Sequence, residues 1–267
     1  MLKGEKQYLA LCERVLTQGQ WVLNKRTGKK CLTVINADFE YNVGNKDFPI
    51  LTTKKVFWRS AIAEMIGYLR GYTSAQEFAN IGCRTWFANA NKTQAWLDNP
   101  LRIGEDDMGK VYGAVAKDFG EIDLIKKVYN NLSQGIDDRG EIITFWKPDD
   151  FNKGCLRPCM FQHHFTLVNG TLNLHSYQRS VDLALGAPFN MVQCYFLLEL
   201  MSKITGNKAG VCYHKLVNIH LYEDQVKTMK LQLERVPLES VNNTFQVDEC
   251  MLYYYENLGT LKYPFSE

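Results

Sequence analysis

The strongest structural signal in the chain is GCLRPCMFQHHFTLVNGTLNLHSYQRSVDLALGAPFN, residues 154–190. Alternating apolar and polar residues run from Cys159 to Val168, the pair Asn169-Gly170 follows, and a second alternating run continues to Ser180. Asn-Gly is the dipeptide favoured by a two-residue type I′ turn, so the pattern predicts a β-hairpin. Phe161, His163, Phe165 and Leu167 share one parity and are expected on one face.

The open end of this hairpin carries chemically useful side chains. Cys159 begins the first strand and Arg179 lies near the end of the second. Residues equidistant from a short turn face each other in an antiparallel pair, so Cys159 and Arg179 are predicted at the same end of the ladder. A guanidinium near a thiol favours the thiolate, which is the nucleophilic form. We therefore predict Cys159 as a nucleophile and Arg179 as its electrostatic support.

The composition is that of an ordinary globular protein. The chain has 267 residues, of which 46% are hydrophobic and 22% are charged, and we expect one domain over 1–267. A net charge of +2 does not favour nucleic acid or an anionic membrane as the main partner. Eight scattered cysteines, with no signal-peptide pattern and no long apolar window, predict a cytoplasmic location without a membrane span.

Helical and strand patterns are interspersed along the chain, which predicts an α+β fold. Helices are expected near 5–17, 59–70, 74–81, 122–135, 188–206 and 223–236, and further strands near 33–41, 141–146 and 211–221. Residues 89–109 are rich in Asn, Asp and Gly and are predicted to be an irregular surface segment.

Several spaced motifs resemble the thymidylate synthase family. They are Leu156-Arg157-Pro158-Cys159, Tyr177-Gln178-Arg179-Ser180, Asp182 with Leu185-Gly186, and Pro188-Phe189-Asn190, and further matches extend from Lys6 to Phe265. The set is specific, although each motif alone is weak. The resemblance implies a large twisted mixed β-sheet with flanking helices. It also implies a sheet-to-sheet homodimer in which Arg139 reaches the partner's active site.

The same resemblance implies a reaction. The substrate would be dUMP, the product dTMP, and the one-carbon donor and reductant 5,10-methylenetetrahydrofolate. Addition of the Cys159 thiolate at pyrimidine C6 would make C5 enolate-like and divide one high barrier into smaller ones. No metal is implied, and the chain has no Gly-x-Gly-x-x-Gly motif for a separate nicotinamide cofactor.

The catalytic residues implied by the resemblance are Cys159, Glu64, Tyr112, Asn190 and Arg179. Glu64 borders the apolar side of helix 59–70, so from the residues alone it is either exposed or buried with a raised pKa. The family places its general acid/base glutamate at this position. The Asn190 amide can accept from N3–H and donate to O4 of uracil.

The resemblance also implies two binding sets. The dUMP set is Arg26, Arg139, Gln178, Arg179, Ser180, Asn190, His220 and Tyr222. The folate set is Trp86, Asp182, Leu156, Gly186 and Phe189. The chain departs from the family pattern at Asn89, Gly140, Met160 and Asn218 and in its terminal Ser266-Glu267.

Three alternatives stay open at the level of sequence. A dUMP or dCMP hydroxymethylase of the same fold would quench the exocyclic methylene with water instead of hydride. A zinc site could use Cys155, Cys159, His163 and His164, although strand alternation turns the two histidines to opposite faces. An inactive nucleotide-binding or RNA-binding relative is disfavoured because Cys159 and Glu64 are both present.

Overall fold

A six-stranded mixed sheet runs through the computed structural model of the chain, which describes residues 2–25, 28–238 and 244–265. Its strands are β1 (Gln20–Leu23), β2 (Lys30–Asn42), β3 (Ile142–Thr144), β4 (Met160–Val168), β5 (Thr171–Asp182) and β6 (Lys208–Tyr222). Their spatial order is β1-β2-β6-β5-β4-β3. The pairing of β5 with β6 is parallel and the other pairings are antiparallel. Strands β7 (Thr244–Gln246) and β8 (Met251–Tyr253) form a separate antiparallel pair.

Helices flank the sheet and confirm the predicted α+β class. They are α1 (Lys3–Gln18), α2 (Trp58–Arg70), α3 (Ala75–Asn80), α4 (Phe87–Lys92), α5 (Gln94–Leu97), α6 (Gly113–Lys117), α7 (Leu124–Ser133), α8 (Gly186–Thr205) and α9 (Val226–Leu233). Short 3₁₀ turns occupy Pro148–Asp150 and Glu223–Gln225. None of the helices in the described residues is long and apolar enough to cross a membrane.

Helix α8 is the central helix of the core. It packs on β5 and β6 on one side and on α2 on the other, and most of its side chains are buried. Pro188 lies in its first turn, and Gly206 ends it with a φ of 72°. That left-handed conformation is the reason for glycine at the C-terminus of the helix. The predicted helix is confirmed, with a start at Gly186 instead of Pro188.

The β4–β5 hairpin has the predicted turn and an unpredicted bulge. Asn169 and Gly170 both have positive φ, 50° and 74°, as a type I′ turn requires. The pairing shifts by one residue between Met160 and Gln162, so that Met160 lies opposite Gln178. Because of this β-bulge, Met160 is buried and Phe161 is not, which corrects the predicted parity at this end of the strand.

The face of the sheet turned away from α8 is partly apolar and exposed. On β6, Cys212 and His214 are buried, whereas Tyr213 between them is 43% exposed and Val217 is 48% exposed. Ile35 on β2 is 70% exposed. We call the surface formed by Ile35, Tyr213 and Val217 the outer face.

One local prediction was wrong, and one strand was not predicted. Residues 89–109 are not entirely irregular, because α4 and α5 cover much of the first half of this segment. Trp96 of α5 is buried, and its indole N–H donates to the Asp107 carbonyl at 2.6 Å. Strand β1 was not predicted, since all four of its residues are exposed and it lacks a buried, alternating face.

Candidate active site

Cys159 lies at the end of the hairpin, immediately before β4, and is half-buried. Its carbonyl accepts a hydrogen bond from the Arg179 backbone N–H at 2.9 Å, so the two residues are paired as the hairpin pattern predicted. The Arg179 guanidinium donates from Nε to the Pro158 carbonyl at 2.9 Å and from Nη2 to the Arg157 carbonyl at 3.0 Å. Its face stacks over Trp146, 5.3 Å from the ring centroid. Arg179 therefore fixes the loop that presents Cys159, with its positive charge on the two carbonyl groups that precede this residue.

Tyr112 holds the same loop from the other side. Its buried hydroxyl accepts a hydrogen bond from the Cys159 backbone N–H at 3.1 Å, and its ring stacks on Tyr68 at 4.3 Å. Tyr112 has a φ of 46°, a strained conformation for a residue with a side chain. The next residue must be glycine, because a Cβ on Gly113 would meet the Tyr68 carbonyl oxygen. This strained backbone conformation thus places the Tyr112 hydroxyl within hydrogen-bonding distance of the Cys159 N–H.

Glu64 of α2 is buried and hydrogen-bonded. Its Oε1 accepts from the Thr85 hydroxyl at 2.7 Å, and its Oε2 accepts from the Gln193 amide at 2.7 Å. Burial raises the pKa of Glu64 above its ordinary value, although these hydrogen bonds act in the opposite direction. Of the two readings left open by the sequence, the buried one is observed. A carboxyl with a raised pKa is a better proton donor to a substrate than an ordinary, fully ionised one.

Asn190, in the first turn of α8, connects Glu64 to the hairpin. Its Oδ1 accepts from the Gln178 side chain at 2.7 Å, and its Nδ2 donates to Gln193 Oε1 at 2.9 Å. Gln193 is the residue that also binds Glu64. Residues predicted from three separate motifs are therefore joined by one continuous set of hydrogen bonds.

Asp182 lies where β5 ends and α8 begins. Its Oδ1 accepts from the backbone N–H groups of Ala184 and Leu185 at 2.9 and 3.0 Å. Its Oδ2 accepts from Gln225 Nε2 at 2.9 Å, and the same nitrogen lies 3.0 Å from the Pro264 carbonyl. The carboxylate is thus fixed, and Gln225 connects it to the C-terminal tail.

His220 and Tyr222 lie near the end of β6, with ring centroids 5.3 Å apart. His220 Nδ1 is 3.0 Å from Asn218 Oδ1, so this amide still supplies an oxygen acceptor where the family pattern has an aspartate. The Tyr222 hydroxyl accepts from Asn24 at 3.2 Å.

Trp86 is buried with its ring edge-on to Tyr68 and Tyr112. Its indole N–H has no hydrogen-bond partner among the residues that the structure describes. Trp86 therefore packs against the stacked rings of Tyr68 and Tyr112.

The remaining predicted residues are spread over several segments of the chain. Leu156 precedes the cysteine loop, Gly186 is the first residue of α8, and Phe189 follows in its first turn. Ser180 is half-buried on β5, and its carbonyl accepts from Gln178 at 3.2 Å. Arg139 is exposed, with a φ of 65°. Arg26 and the terminal Ser266-Glu267 lie outside the described residues.

The geometry does not favour the zinc alternative. His163 is buried and bonds the Ser176 hydroxyl at 2.8 Å, whereas His164 lies near His175 on the opposite face. Within the described ranges, no three His, Cys, Asp or Glu side chains are grouped as metal ligands would be. All eight cysteines lie in those ranges, and no two of them form a disulfide.

Comparison with known proteins identifies the family. The family model for thymidylate synthase matches residues 6–265. The chain belongs to the thymidylate synthase family. The thymidylate synthase of Vibrio atlanticus is 52% identical to this chain over 281 aligned positions, and that of Aliivibrio fischeri is 53% identical. Each alignment covers 98% of this chain and 99% of the relative.

Membership of the thymidylate synthase family confirms the predicted enzyme class, a methyltransferase that forms dTMP from dUMP with methylenetetrahydrofolate as cosubstrate. The hydroxymethylase alternative is not favoured, because relatives at this level of identity are thymidylate synthases.

Sequence reasoning missed several residues that hold the site together. They are Tyr68, Thr85, Gln193, His214 and Gln225. Gln193 offered a signal, since it is a polar residue in the apolar helix α8, one turn after Asn190. The others lie far from their partners in sequence, so their roles depend on the tertiary fold.

Proposed function

We propose that Cys159 is the nucleophile that methylates dUMP, with Glu64, Tyr112, Asn190 and Arg179 as its catalytic partners. The observation that carries this proposal is the double anchoring of Cys159. Its backbone is hydrogen-bonded to Tyr112 on one side and to Arg179 on the other. A residue whose backbone is fixed in this way presents its side chain in one position, which preorganises it for attack. The guanidinium charge of Arg179 favours the thiolate.

The reaction proceeds through a covalent adduct. The Cys159 sulfur forms a bond to C6 of the uracil ring, and the electron pair displaced to C5 makes that carbon nucleophilic. C5 then forms a bond to the methylene carbon of 5,10-methylenetetrahydrofolate as the bond from that carbon to N10 breaks. Loss of the C5 proton expels N5 of the folate and leaves an exocyclic methylene on the pyrimidine. Hydride from the folate reduces the exocyclic carbon to a methyl group, the C6–S bond breaks, and dTMP and dihydrofolate leave. Glu64, with its raised pKa, exchanges protons during these steps.

Substrate recognition is divided between base and phosphate. Asn190 reads the uracil edge, and Gln178, His220 and Tyr222 complete the nucleoside site. Arg26, Arg139, Arg179 and Ser180 hold the phosphate, where guanidinium groups supply paired, charge-assisted hydrogen bonds.

The folate site combines Asp182 and the first turn of α8 with Trp86 and Leu156 from two other segments of the chain. Asp182 accepts hydrogen bonds from the pterin, and Trp86, Leu156, Gly186 and Phe189 provide its apolar surroundings. The anchoring of Asp182 by two backbone N–H groups and Gln225 supports this assignment, because it keeps the carboxylate in one orientation.

The active enzyme is a homodimer that pairs through the outer face. Exposure of Ile35, Tyr213 and Val217 on one sheet surface supports this assembly, since exposed apolar side chains on a common surface mark protein contacts. Arg139 reaches the partner's site. Its loop is fixed by Asp137, which accepts from the backbone N–H groups of Arg139 and Leu167. The chain folds as one domain over 1–267, in keeping with the family match over 6–265. It works in the reducing cytoplasm.

The test is an assay of dihydrofolate formation with dUMP and methylenetetrahydrofolate. The wild-type chain is expected to form dTMP and dihydrofolate in equal amounts, and Cys159→Ser to abolish turnover while still binding dUMP. Hydroxymethyl product without dihydrofolate would show the alternative reaction. Full turnover by Cys159→Ser would overturn the role of the thiolate.

A further inference from the structure

The amide of Asn190 is fixed from one side by Gln193. Gln193 Nε2 lies 3.2 Å from the Ala61 carbonyl and 2.7 Å from Glu64 Oε2. A backbone carbonyl can only accept, so the nitrogen of the Gln193 amide must face it. Gln193 Oε1 consequently faces Asn190 and accepts from its Nδ2 at 2.9 Å.

A second, independent anchor acts on the other side of Asn190. Gln178 Nε2 lies 3.2 Å from the Ser180 carbonyl and donates to Asn190 Oδ1 at 2.7 Å. Gln178 Oε1 then faces His214 Nε2 at 2.9 Å, so this nitrogen carries the imidazole proton. In the neutral ring, Nδ1 accepts from the buried Tyr41 hydroxyl at 3.1 Å. Hydrogen bonds therefore run in one direction from Tyr41 to Glu64.

Both anchors impose the same orientation on Asn190. Each uses one of its hydrogen-bonding positions, which leaves one Nδ2 hydrogen and one Oδ1 lone pair for a ligand. Uracil presents N3–H and an O4 acceptor, which this arrangement complements. Cytosine presents an N3 acceptor and an amino group, which would require the amide to turn over. The turned amide would set two NH₂ groups against each other at Gln178 and two carbonyl oxygens against each other at Gln193.

We propose that Gln193 and His214 are positioning residues for base specificity. They hold the Asn190 amide in the orientation that accepts uracil and rejects cytosine. The inference rests on the proposed role of Asn190 in reading the base and extends it to two buried residues that do not themselves touch the substrate.

The test compares dissociation constants for dUMP and dCMP, measured calorimetrically on the purified protein. Gln193→Met removes one anchor, and His214→Phe weakens the other by removing the partner of Gln178 Oε1. Each is expected to lower the preference for dUMP over dCMP about tenfold, the free-energy equivalent of one buried hydrogen bond. His214→Gln keeps an N–H donor near the Nε2 position and is expected to retain the preference. His163→Phe is the matched control, because His163 is buried in the same sheet but bonds Ser176 instead of Gln178.

Kinetics separate positioning from general destabilisation. Gln193 also binds Glu64, so Gln193→Met is expected to lower kcat as well as the preference. His214 bonds Gln178 and Tyr41, and its loss is expected to change the nucleotide preference more than kcat for dUMP. If His214 had only a structural role, its substitution would lower the melting temperature and weaken the binding of dUMP and dCMP equally.

The outcomes distinguish the base-reading role of Asn190 from the positioning role of Gln193 and His214. If Asn190→Asp shifts preference toward dCMP while folded His214→Phe retains the wild-type ratio, the positioning role is wrong and the role of Asn190 stands. If Asn190→Asp itself leaves the ratio unchanged, Asn190 does not read the base and both assignments fail. Should Gln193→Met not fold, the pair His214→Phe and His214→Gln decides alone.

Discussion

Glu64, the proposed proton-transfer residue, lies in an environment that is unfavourable for a carboxylate. Its carboxyl is buried, and burial raises its pKa, so the ionised form is less stable in the folded protein than in water. The folded state therefore binds the Glu64 proton more tightly than the unfolded state does. The corresponding stabilisation is complete below the unfolded pKa and is lost as the pH rises through the folded pKa.

Glu64→Gln is expected to reduce kcat by at least about 100-fold, because it removes the proton-transferring group. Gln is neutral at every pH, so the variant does not lose stability through this group as the pH rises. The difference in melting temperature, variant minus wild type, is therefore expected to be larger at pH 8 than at pH 4. Calorimetric melting at both values, together with the dihydrofolate assay, measures both effects. An equal difference at the two pH values would contradict the buried, proton-binding carboxyl.

His163 makes the opposite contribution. Burial lowers the pKa of its imidazole from 6.5 to about 4. Below pH 6.5 His163 is protonated in the unfolded chain but stays neutral in the folded protein. The free energy of unfolding therefore decreases as the pH falls from 6.5 towards 4. His163→Phe is expected to remove up to about 3 kcal/mol of this pH dependence. Urea unfolding at pH 7.5 and 4.5 measures it, with His164→Phe, on the opposite face, as the control that should retain the dependence.

The start of α6 is the element that fixes the active-site tyrosine. An added Cβ at Gly113 would overlap the Tyr68 carbonyl oxygen, which belongs to the backbone and cannot rotate away. Gly113→Ala is expected to cost at least about 2 kcal/mol of unfolding free energy. It should also lower kcat strongly, because Tyr112 is displaced from the Cys159 N–H.

Gly135→Ala is the matched control for that element. Gly135 has a φ of 71°, but an added Cβ would meet no atom within 4 Å. Only the conformational cost of about 1 kcal/mol is expected, with normal activity. Denaturant unfolding and the dihydrofolate assay apply to both variants. Equal loss of activity in the two would mean that the contact with Tyr68 does not position the site.

The elements differ in how well local sequence encodes them. The type I′ turn and the termination of α8 at Gly206 depend on the left-handed preference of particular residues, so they could be predicted. The bulge before Gln162 carries no glycine or proline signal, and the alternation alone placed Phe161 on the wrong face. The burial of Glu64 depends on Thr85 and Gln193, the latter 129 residues away, and no local pattern records such a contact.

At the scale of the whole molecule, the two faces of the sheet have different roles. One face, with Cys212 and His214, is covered by α8 and carries the hydrogen bonds that lead to Asn190. The outer face is exposed and partly apolar, so pairing of two copies would bury it. In such a pair Arg139 and Cys159 of one site would come from different subunits. The proposed sharing of Arg139 can therefore be tested by substitutions that do not disturb the fold.

Mixed dimers test the sharing of residues directly. Cys159→Ala and Arg139→Ala chains are each expected to be nearly inactive alone. When the two are unfolded together and refolded in equal amounts, about half of the dimers should be mixed. In a mixed dimer one site has both residues intact and the other has neither, so total activity should recover to about one quarter of wild type. Mixing without unfolding is the control and should restore nothing until subunits exchange. Recovery of no activity in refolded mixtures that sediment as dimers would mean that Arg139 serves its own subunit.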